Sequence, residues 1–326
     1  AATKRKYMKK NILIFFLCTV VGSSLIACTE IDDPDNPDNF PNQGKLQVKT
    51  SLYTGDDGTS SNQEKNIGIF LYKNNADLIY ADEKGINIKC TSQEASDFWK
   101  LSHEVELGAA DATVFAYYPF KDNLNDLKRI PVDIRAKEDL CFGINDQQTK
   151  LNRSQPLAFI TMRHALAKVR FNLILDSEEE YSGPGIVEDA RVVKCRADGV
   201  VDEDRYNVLT IEGFMDASTG RIKTSASGKM TIDALIGKAF STEGIEENEQ
   251  PFFYSVPETD MQGNAFAIVI DGKQHIIRID NGTAWRASTI NTYTFRLKGE
   301  VLDLAQNKDN GFDVKPWEDF QDEIDY

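Results

Sequence analysis

Histidine and cysteine are the side chains through which this chain could bind a metal ion or attack a substrate. The sequence has only three histidines, and none stands near a cysteine or glutamate at the spacing of a metal site. Each falls on a predicted strand or strand edge, where a solvated or hydrogen-bonded imidazole is the ordinary interpretation. They are His103, His164 and His275. We therefore predict no metal site.

Motifs for catalysis are equally sparse. No G-x-S-x-G nucleophile elbow occurs. The stretch from Ser225 to Lys229 is similar to a phosphate-binding loop, but Lys223 and Met230 replace the glycine and the hydroxyl residue that such a loop needs, so we interpret it as a hairpin turn. The chain has 52 acidic residues, so a catalytic pair of carboxylates stays an alternative, yet no spacing identifies one. The sequence predicts a protein that is not an enzyme and has no cofactor.

The N-terminus differs in kind from the rest of the chain. A basic stretch from Lys4 to Lys10 precedes an apolar run from Ile12 to Val21, and small residues follow up to Cys28. This order is typical of a secretion signal. The apolar run is shorter than the roughly 20 residues that span a bilayer, which argues against a transmembrane anchor.

The stretch Leu25–Cys28 resembles the lipobox of bacterial lipoproteins, in which the cysteine carries a lipid. We predict a signal peptide at 1–27, with residues 1–7 as a start-site extension before Met8, and lipid attachment at Cys28. The alternative is a plain signal peptide cut near Ala27 that leaves Cys28 unmodified. Residues 29–44 are rich in Pro, Asp and Asn, so we expect 28–44 to form a lipidated, disordered tether.

The charge of the mature chain restricts its partners. Removing residues 1–27 takes away five of the 37 basic residues and none of the 52 acidic ones, which leaves a net charge of −20. Nucleic acid and anionic lipid headgroups are therefore not expected as partners. Three further cysteines, Cys90, Cys141 and Cys195, are odd in number, and we favour buried free thiols over a single disulfide.

The first predicted strand runs from Leu46 to Thr54. Its even-numbered positions, from Leu46 to Thr54, share one face, and its odd-numbered positions, from Gln47 to Tyr53, share the other. Such alternation predicts one buried and one solvated face.

Other segments of the first half read as strands or connections. Ile67–Tyr72 is almost wholly apolar and predicts a central strand. Thr113–Phe120 predicts another strand, closed by Pro119. Ser92–Trp99 is interpreted as a short helix or an irregular connection.

The second half begins near Leu157 and contains clearer strand patterns. From Ala165 to Leu175 the odd positions are apolar, while His164, Lys168, Arg170 and Asn172 occupy the other face. The pair Asp271-Gly272 predicts a type I′ hairpin between Phe266–Ile270 and Lys273–Ile279. Tyr293, Phe295 and Leu297 are expected to face inward on a further strand.

These short strands lack regular intervening helices, which predicts an all-β protein of two tandem β-sandwiches. We place the N-terminal β-sandwich at 45–155 and the C-terminal β-sandwich at 156–326.

Several segments together resemble the fimbrillin-like family, the subunits of type V pili of Bacteroides-type bacteria. The resemblance extends from about residue 28 to residue 317. The segments that carry it are the lipobox at Cys28, Leu46–Thr54, Phe115–Phe120, His164–Phe171, Phe253–Pro257 and Val314–Trp317.

The resemblance implies two transthyretin-like β-sandwiches and polymerisation by strand exchange. In that family a protease cuts the loop after the first strand, the strand leaves an apolar groove, and a strand of a neighbouring subunit fills it. Here the exchange-strand plug would be Leu46, Val48 and Leu52, and the candidate donor segment Phe312, Val314 and Trp317. The implied partners are other pilus subunits and the membrane, through the lipid on Cys28; an adhesion ligand on a host or glycan stays open.

The resemblance also implies a location on the outer membrane. Acidic residues just after Cys28 (Glu30, Asp32 and Asp33) resemble the signal that sends some lipoproteins of these bacteria to the cell surface. The expected location is therefore a surface-exposed lipoprotein that could be incorporated into fimbriae.

The sequence departs from this family at both ends. Members are often cut after an arginine that follows the first strand, but Lys65 is the only basic residue between Thr54 and Asn66. Either another protease acts, or the plug is never removed and the subunit stays at the base. The tail after Trp317 has five acidic residues in nine and lacks the alternation of a donor strand. Base, shaft and tip positions all stay open.

The runner-up function is glycan binding by a surface lipoprotein, a class that presents exposed aromatic platforms. Trp99, Trp285 and Trp317 are the only tryptophans, and we interpret them as packing residues of the core or the sheet edges.

Overall fold

The computed structural model describes residues 44–51, 65–73, 78–93, 96–177, 181–196, 198, 200–202, 209–279, 282–305 and 311–317. The predicted signal peptide, Cys28, most of the tether, and Leu52 lie outside these residues. Within them the chain is all-β, as predicted, and its only helices are short 3-10 segments at Asp82–Gly85, Ile134–Ala136, Asp233–Leu235 and Glu247–Glu249. No helix in this part is long and apolar enough to cross a membrane.

The first eight strands are β1 Gln47–Thr50, β2 Asn66–Lys73, β3 Ile88–Gln93, β4 Ser96–Leu101, β5 Ala112–Tyr118, β6 Ile130–Asp133, β7 Cys141–Asn145 and β8 Leu157–His164. All of them except β6 form a seven-stranded sheet with the order β1-β8-β7-β5-β2-β3-β4. The sheet curves, so that β1 and β4, the two ends of this order, approach each other. Lys49 Nζ lies 3.4 Å from Asp97 Oδ2 and 4.6 Å from the centre of the Phe98 ring.

The remaining strands form three smaller sheets. They are β9 Ala167–Leu175, β10 Val187–Lys194, β11 Leu209–Met215, β12 Ile222–Gly228, β13 Met230–Thr231, β14 Phe252–Ser255, β15 Asn264–Ile270, β16 Lys273–Arg278, β17 Thr289–Lys298, β18 Val301–Leu304 and β19 Phe312–Pro316. Their orders are β14-β9-β17-β18 with β19 also on β17, β13-β10-β15-β16, and β12-β11-β6.

Two apolar cores explain why β2 reads as an almost continuous apolar run. Ile67, Ile69 and Leu71 point into a core on one face of the seven-stranded sheet. Phe70 points into a second core, shared with the strands of the second half, such as Phe171 of β9. A strand that is buried on both faces needs apolar residues at consecutive positions. The prediction of a central strand here is confirmed.

Other local predictions are also confirmed. The strand predicted at Thr113–Phe120 corresponds to β5, Ala112–Tyr118, which ends before Pro119. Asp271 and Gly272 have φ angles of 48° and 80°, as a type I′ turn between β15 and β16 requires. Tyr293, Phe295 and Leu297 are buried.

Three predictions on local structure are wrong. Within the predicted connection Ser92–Trp99, residues 92–93 end β3 and residues 96–99 belong to its partner strand β4. The alternation in this stretch is weak because only Trp99 of β4 is buried. Ser225–Gly228 belongs to β12, which pairs with β11, and is not a turn. The long strand predicted from Ala165, with His164 on its other face, is not continuous: His164 is the buried last residue of β8, and β9 begins only at Ala167, because the chain bends at Ala165 and Leu166.

Strand pairings cross the predicted boundary between 45–155 and 156–326 in two places. The strand β8 follows the division but pairs with β1 and β7 of the first half. In addition, β6 pairs with β11, which belongs to the second half. The division into 45–155 and 156–326 stays a prediction.

Candidate functional site

The strand β1 presents its apolar side chains to the core under the seven-stranded sheet. Val48 is 0% exposed and Leu46 is buried beside it. Both belong to a cluster with Ile160 of β8 and Trp99 of β4. Lys49, the residue after Val48, reaches Asp97 and Phe98 on the outer side. The burial expected for Leu46 and Val48 is therefore present, and Leu52 lies outside the described residues.

Backbone hydrogen bonds hold β1 along one edge. It pairs in parallel with β8, in the register Gln47 to Leu157 through Thr50 to Ile160. The N–H of Gln47 donates to the C=O of Pro156 at 2.9 Å. A parallel partner requires a long connection between the two strands, and here more than 100 residues separate them.

On its other side the start of β1 meets a second segment. The N–H of Leu46 donates to the C=O of Val105 at 2.9 Å, and the N–H of Leu107 donates to the C=O of Gly44 at 2.6 Å. The strand thus fills a slot between β8 and residues 105–107. Removing it would uncover the apolar core and the backbone groups that border the slot.

The inward alternation of β1 does not continue as the sequence predicts. Thr50 is half-buried, whereas Ser51, expected on the outer face, is buried. The Ser51 N–H donates to the C=O of Ile160 at 3.0 Å, and its Oγ accepts from the N–H of Met162 at 2.8 Å. This side chain satisfies a backbone donor of β8 just where β1 ends. Hydroxyl side chains make such local backbone contacts readily.

At the other end of the chain, β19 occupies one edge of β17. It is antiparallel to β17, in the register Phe312 to Tyr293 through Pro316 to Thr289. The same edge of β17 carries β18 from Phe295 onward, while β9 lies along the opposite edge. The last strand therefore completes an edge that β18 covers only in part.

The side chains of β19 contribute little to the core. Val314 is 46% exposed, and Phe312 is half-buried, with its ring 4.7 Å from that of Tyr293. Lys315 Nζ lies 3.4 Å from Glu247 Oε1 in an exposed ion pair. Exposed pairs of this kind stabilise a fold by less than about 1 kcal/mol.

Trp317 anchors the end of this segment. It is 4% exposed, and its ring stacks on His164 at 3.5 Å and on Tyr254 at 5.6 Å. The backbone N–H of Trp317 donates to the C=O of Ser288 at 3.0 Å. Lys168 Nζ lies 5.2 Å from its ring centre. One aromatic side chain thus contacts two sheets, the seven-stranded sheet through His164 of β8 and the sheet of β9 and β17 through Tyr254 of β14.

Beneath Trp317 lies a group of three side chains that sequence reasoning did not connect. His164 Nδ1 is 2.7 Å from Asp139 Oδ2, and Cys141 Sγ is 3.2 Å from the same oxygen. Cys141 Sγ and His164 Nδ1 are 3.7 Å apart. In the described part of the chain this is the only group of three or more side chains close enough to hold one metal ion.

The sheet itself brings these three side chains together. Cys141 of β7 and His164 of β8 are directly opposed in the antiparallel register. Asp139 precedes Cys141 by two residues and so projects to the same side. The local signal was Asp139-x-Cys141, but His164 is 23 residues further on, and only the strand register places it opposite.

This arrangement does not fit a nucleophilic dyad. A catalytic cysteine and its orienting carboxylate contact different nitrogens of the histidine, whereas here both face Nδ1. Cys141 is also 0% exposed. The three groups offer sulfur, nitrogen and oxygen to a common point.

The cysteines and tryptophans otherwise behave as packing residues. Cys90 and Cys141 are buried, Cys195 is half-buried, and the three described cysteines form no disulfide. Burial raises the pKa of the Cys90 thiol above its usual range, so this thiol stays protonated. All three tryptophans, Trp99, Trp285 and Trp317, are buried, which confirms their interpretation as packing residues.

We compared the chain with known protein families, curated proteins and solved structures. A family model described as fimbrillin-like matches residues 53–317. No curated protein matches the sequence.

Two solved structures are similar in fold. A candidate cell adhesion protein from Bacteroides uniformis aligns with a TM-score of 0.60 and 13% identity, over 85% of this chain and 99% of its own. Another from Bacteroides ovatus aligns with a TM-score of 0.56 and 10% identity, over 83% of this chain and 97% of its own. At these identities the likeness concerns the fold.

Proposed function

The chain belongs to the fimbrillin-like family, and from this we propose that it is a structural, non-enzymatic subunit of a cell-surface pilus with a role in adhesion. Similarity of fold to candidate cell adhesion proteins of Bacteroides supports the same role. The partners are then other pilus subunits. The observation that carries the proposal is the placement of β1 in an apolar slot at the edge of its sheet.

Strand exchange is the proposed mode of assembly. Leu46 and Val48, with Leu52, serve as the plug of the slot between β8 and residues 105–107. An open slot would expose apolar side chains together with unpaired backbone groups. A strand from a neighbouring subunit satisfies both at once, since it buries apolar area at about 25 cal/mol per Å² and restores the backbone hydrogen bonds.

We further propose that the subunit occupies the base and that its own plug is retained. The slot of this subunit then stays closed, and strand exchange joins it to the pilus only through a strand that it donates. Lys65 is the only basic residue between Thr54 and Asn66. Its N–H donates to Ser92 Oγ at 2.9 Å, and its C=O accepts from the Ser92 N–H at 2.9 Å. A protease needs an extended, unpaired backbone, so these two bonds protect the peptide bond that follows Lys65.

Retention of the plug agrees with a lipid on Cys28, because the chain then stays continuous from the lipid to the folded part. The proposed location is the outer membrane, with the protein exposed at the cell surface. Replacing Cys28 with Ser should release the protein from the membrane fraction, since the acyl chains are the proposed anchor. Unchanged fractionation of C28S would contradict the anchor.

The experiment for strand exchange removes the plug and returns it as a peptide. Deleting residues 45–54 should lower the free energy of unfolding by several kcal/mol, given about 1.5–3 kcal/mol for each large apolar side chain. The deletion variant should also self-associate, as measured by analytical ultracentrifugation. A peptide with the sequence of residues 45–54 should restore the monomer.

The matched control is the same peptide with Val48 replaced by Asp, which should neither bind nor dissolve the assemblies. A deletion variant that stays monomeric with an unchanged melting temperature would overturn the strand-exchange proposal. The base position has a separate test in N-terminal sequencing of the protein from outer membranes. A mature chain that begins beyond the plug would contradict it.

A further inference from the structure

We propose that Asp139, Cys141 and His164 form a binding site for one zinc ion. The side chains offer a carboxylate oxygen, a thiolate sulfur and an imidazole nitrogen, which are the ligand types of protein zinc sites. This mixed set selects zinc over calcium or magnesium, which prefer oxygen ligands alone. The proposal is independent of the pilus function.

The distances between the three ligand atoms are close to those of a tetrahedral site. Zinc bonds of about 2.0 Å to oxygen and nitrogen and 2.3 Å to sulfur place the ligand atoms about 3.3–3.6 Å apart. Here the sulfur lies 3.7 Å from the nitrogen and 3.2 Å from the oxygen. Only the contact between nitrogen and oxygen, at 2.7 Å, has to open, by about 0.6 Å.

The carboxylate is the ligand that can make this adjustment. The side chain of Asp139 is 20% exposed and precedes the first residue of β7, whereas Cys141 and His164 are fixed in paired strands. Its Oδ1 is buried and has no hydrogen-bond partner among the described residues. A buried carboxylate oxygen without a partner is unfavourable, and a cation bound through both oxygens of Asp139 would satisfy Oδ1 as well as Oδ2.

Zinc binding requires the thiolate, so the Cys141 thiol loses its proton to solvent as the Zn–S bond forms. His164 binds through the Nδ1 lone pair, with its proton on Nε2. The sheet fixes two ligands and the carboxylate supplies the third, and the fourth position is left for water or for the second oxygen of Asp139. This is the number of protein ligands in an open zinc site.

The ion would also act on the last strand. The His164 ring is the surface on which Trp317 stacks at 3.5 Å with an interplanar angle of 7°. Coordination fixes the plane of the imidazole ring, which strengthens its stacking with the indole ring of Trp317. Zinc should therefore slow the release of residues 312–317.

The test uses the untagged full chain with Co²⁺ as a spectroscopic probe and Zn²⁺ as competitor. Folded protein should bind one Co²⁺ with a thiolate-to-cobalt charge-transfer band in the near ultraviolet, and Zn²⁺ should abolish the band. Cys141→Ser should remove it. The matched control, Cys195→Ser, removes a thiol outside the group and should keep it.

A second variant covers the case in which Cys141→Ser does not fold. Asp139→Asn keeps the size of the side chain and should weaken Co²⁺ binding at least about 10-fold, while the charge-transfer band persists at saturation. Wild-type protein without the band, or a band that survives in folded Cys141→Ser, would overturn the proposal. So would an equal loss in Cys195→Ser.

Discussion

The first and last strands both lie at sheet edges, but different forces hold them. β1 buries Leu46 and Val48 in the core and meets backbone groups on two sides. β19 leaves Val314 exposed and, among the described strands, pairs only with β17. Its firm attachment is concentrated in Trp317.

β1 is therefore part of the core, whereas β19 is attached at the edge of a sheet. Loss of β1 would uncover apolar surface and unpaired backbone together. Loss of β19 would uncover part of one edge of β17 and the pocket of one aromatic ring. A strand that is attached mainly through the residue that follows it can leave without unfolding the sheets, which suits the candidate donor segment Phe312, Val314 and Trp317.

The largest expected effect comes from a charge in the buried face of β1. Val48→Asp places a carboxylate at a position that is 0% exposed. We expect the free energy of unfolding to fall by about 3–5 kcal/mol, because the buried group must be neutralised or must force the strand out. Urea denaturation measures the change. A loss below about 1 kcal/mol would show that β1 is peripheral.

A smaller and more local effect is expected from Trp317→Ala. Removing the ring eliminates its stacking on His164 and Tyr254, which should facilitate opening of β19 by about 3 kcal/mol. Amide hydrogen exchange of residues 312–317 should then be about 100-fold faster. Trp317→Phe, which keeps an aromatic ring, should retain much of the protection. Unchanged exchange in Trp317→Ala would show that the backbone pairing alone holds the strand.

The polar contact between β1 and β4 should contribute less. Lys49→Ala removes an ion pair with Asp97 and the contact with the Phe98 ring, and should lower the free energy of unfolding by about 0.5–1 kcal/mol. A double-mutant cycle with Phe98→Ala isolates the ring contact. Coupling well above about 1 kcal/mol would mean that closure of the curved sheet contributes more to the attachment of β1 than a solvated contact can.

The smallest effect is expected from Val314→Asp, the counterpart of Val48→Asp on the last strand. Because Val314 is 46% exposed, the new carboxylate stays solvated. The free energy of unfolding should change by less than about 0.5 kcal/mol. A large loss by urea denaturation would mean that β19 is part of the core, and the contrast between the two strands would disappear.

Much of the local structure follows from the sequence by itself. Alternation at Leu46 and Val48, the Asp271-Gly272 turn, and the inward face of Tyr293 to Leu297 are all found as predicted. Each of these depends on residues that are neighbours in the chain. Side-chain periodicity and turn conformation are properties of the local backbone, so a sequence pattern reports them directly.

Only the tertiary structure decided how distant segments meet. The parallel pairing of β1 with β8 and the sharing of one edge of β17 by β18 and β19 depend on strand order, which no local pattern encodes. The sequence predicts His164 as an outward residue of a long strand. In the structure a bend after His164 takes the chain from the sheet of β8 to the sheet of β9. The register of β7 and β8 then places its imidazole beside Asp139 and Cys141, because cross-strand contacts depend on register and not on spacing along the chain.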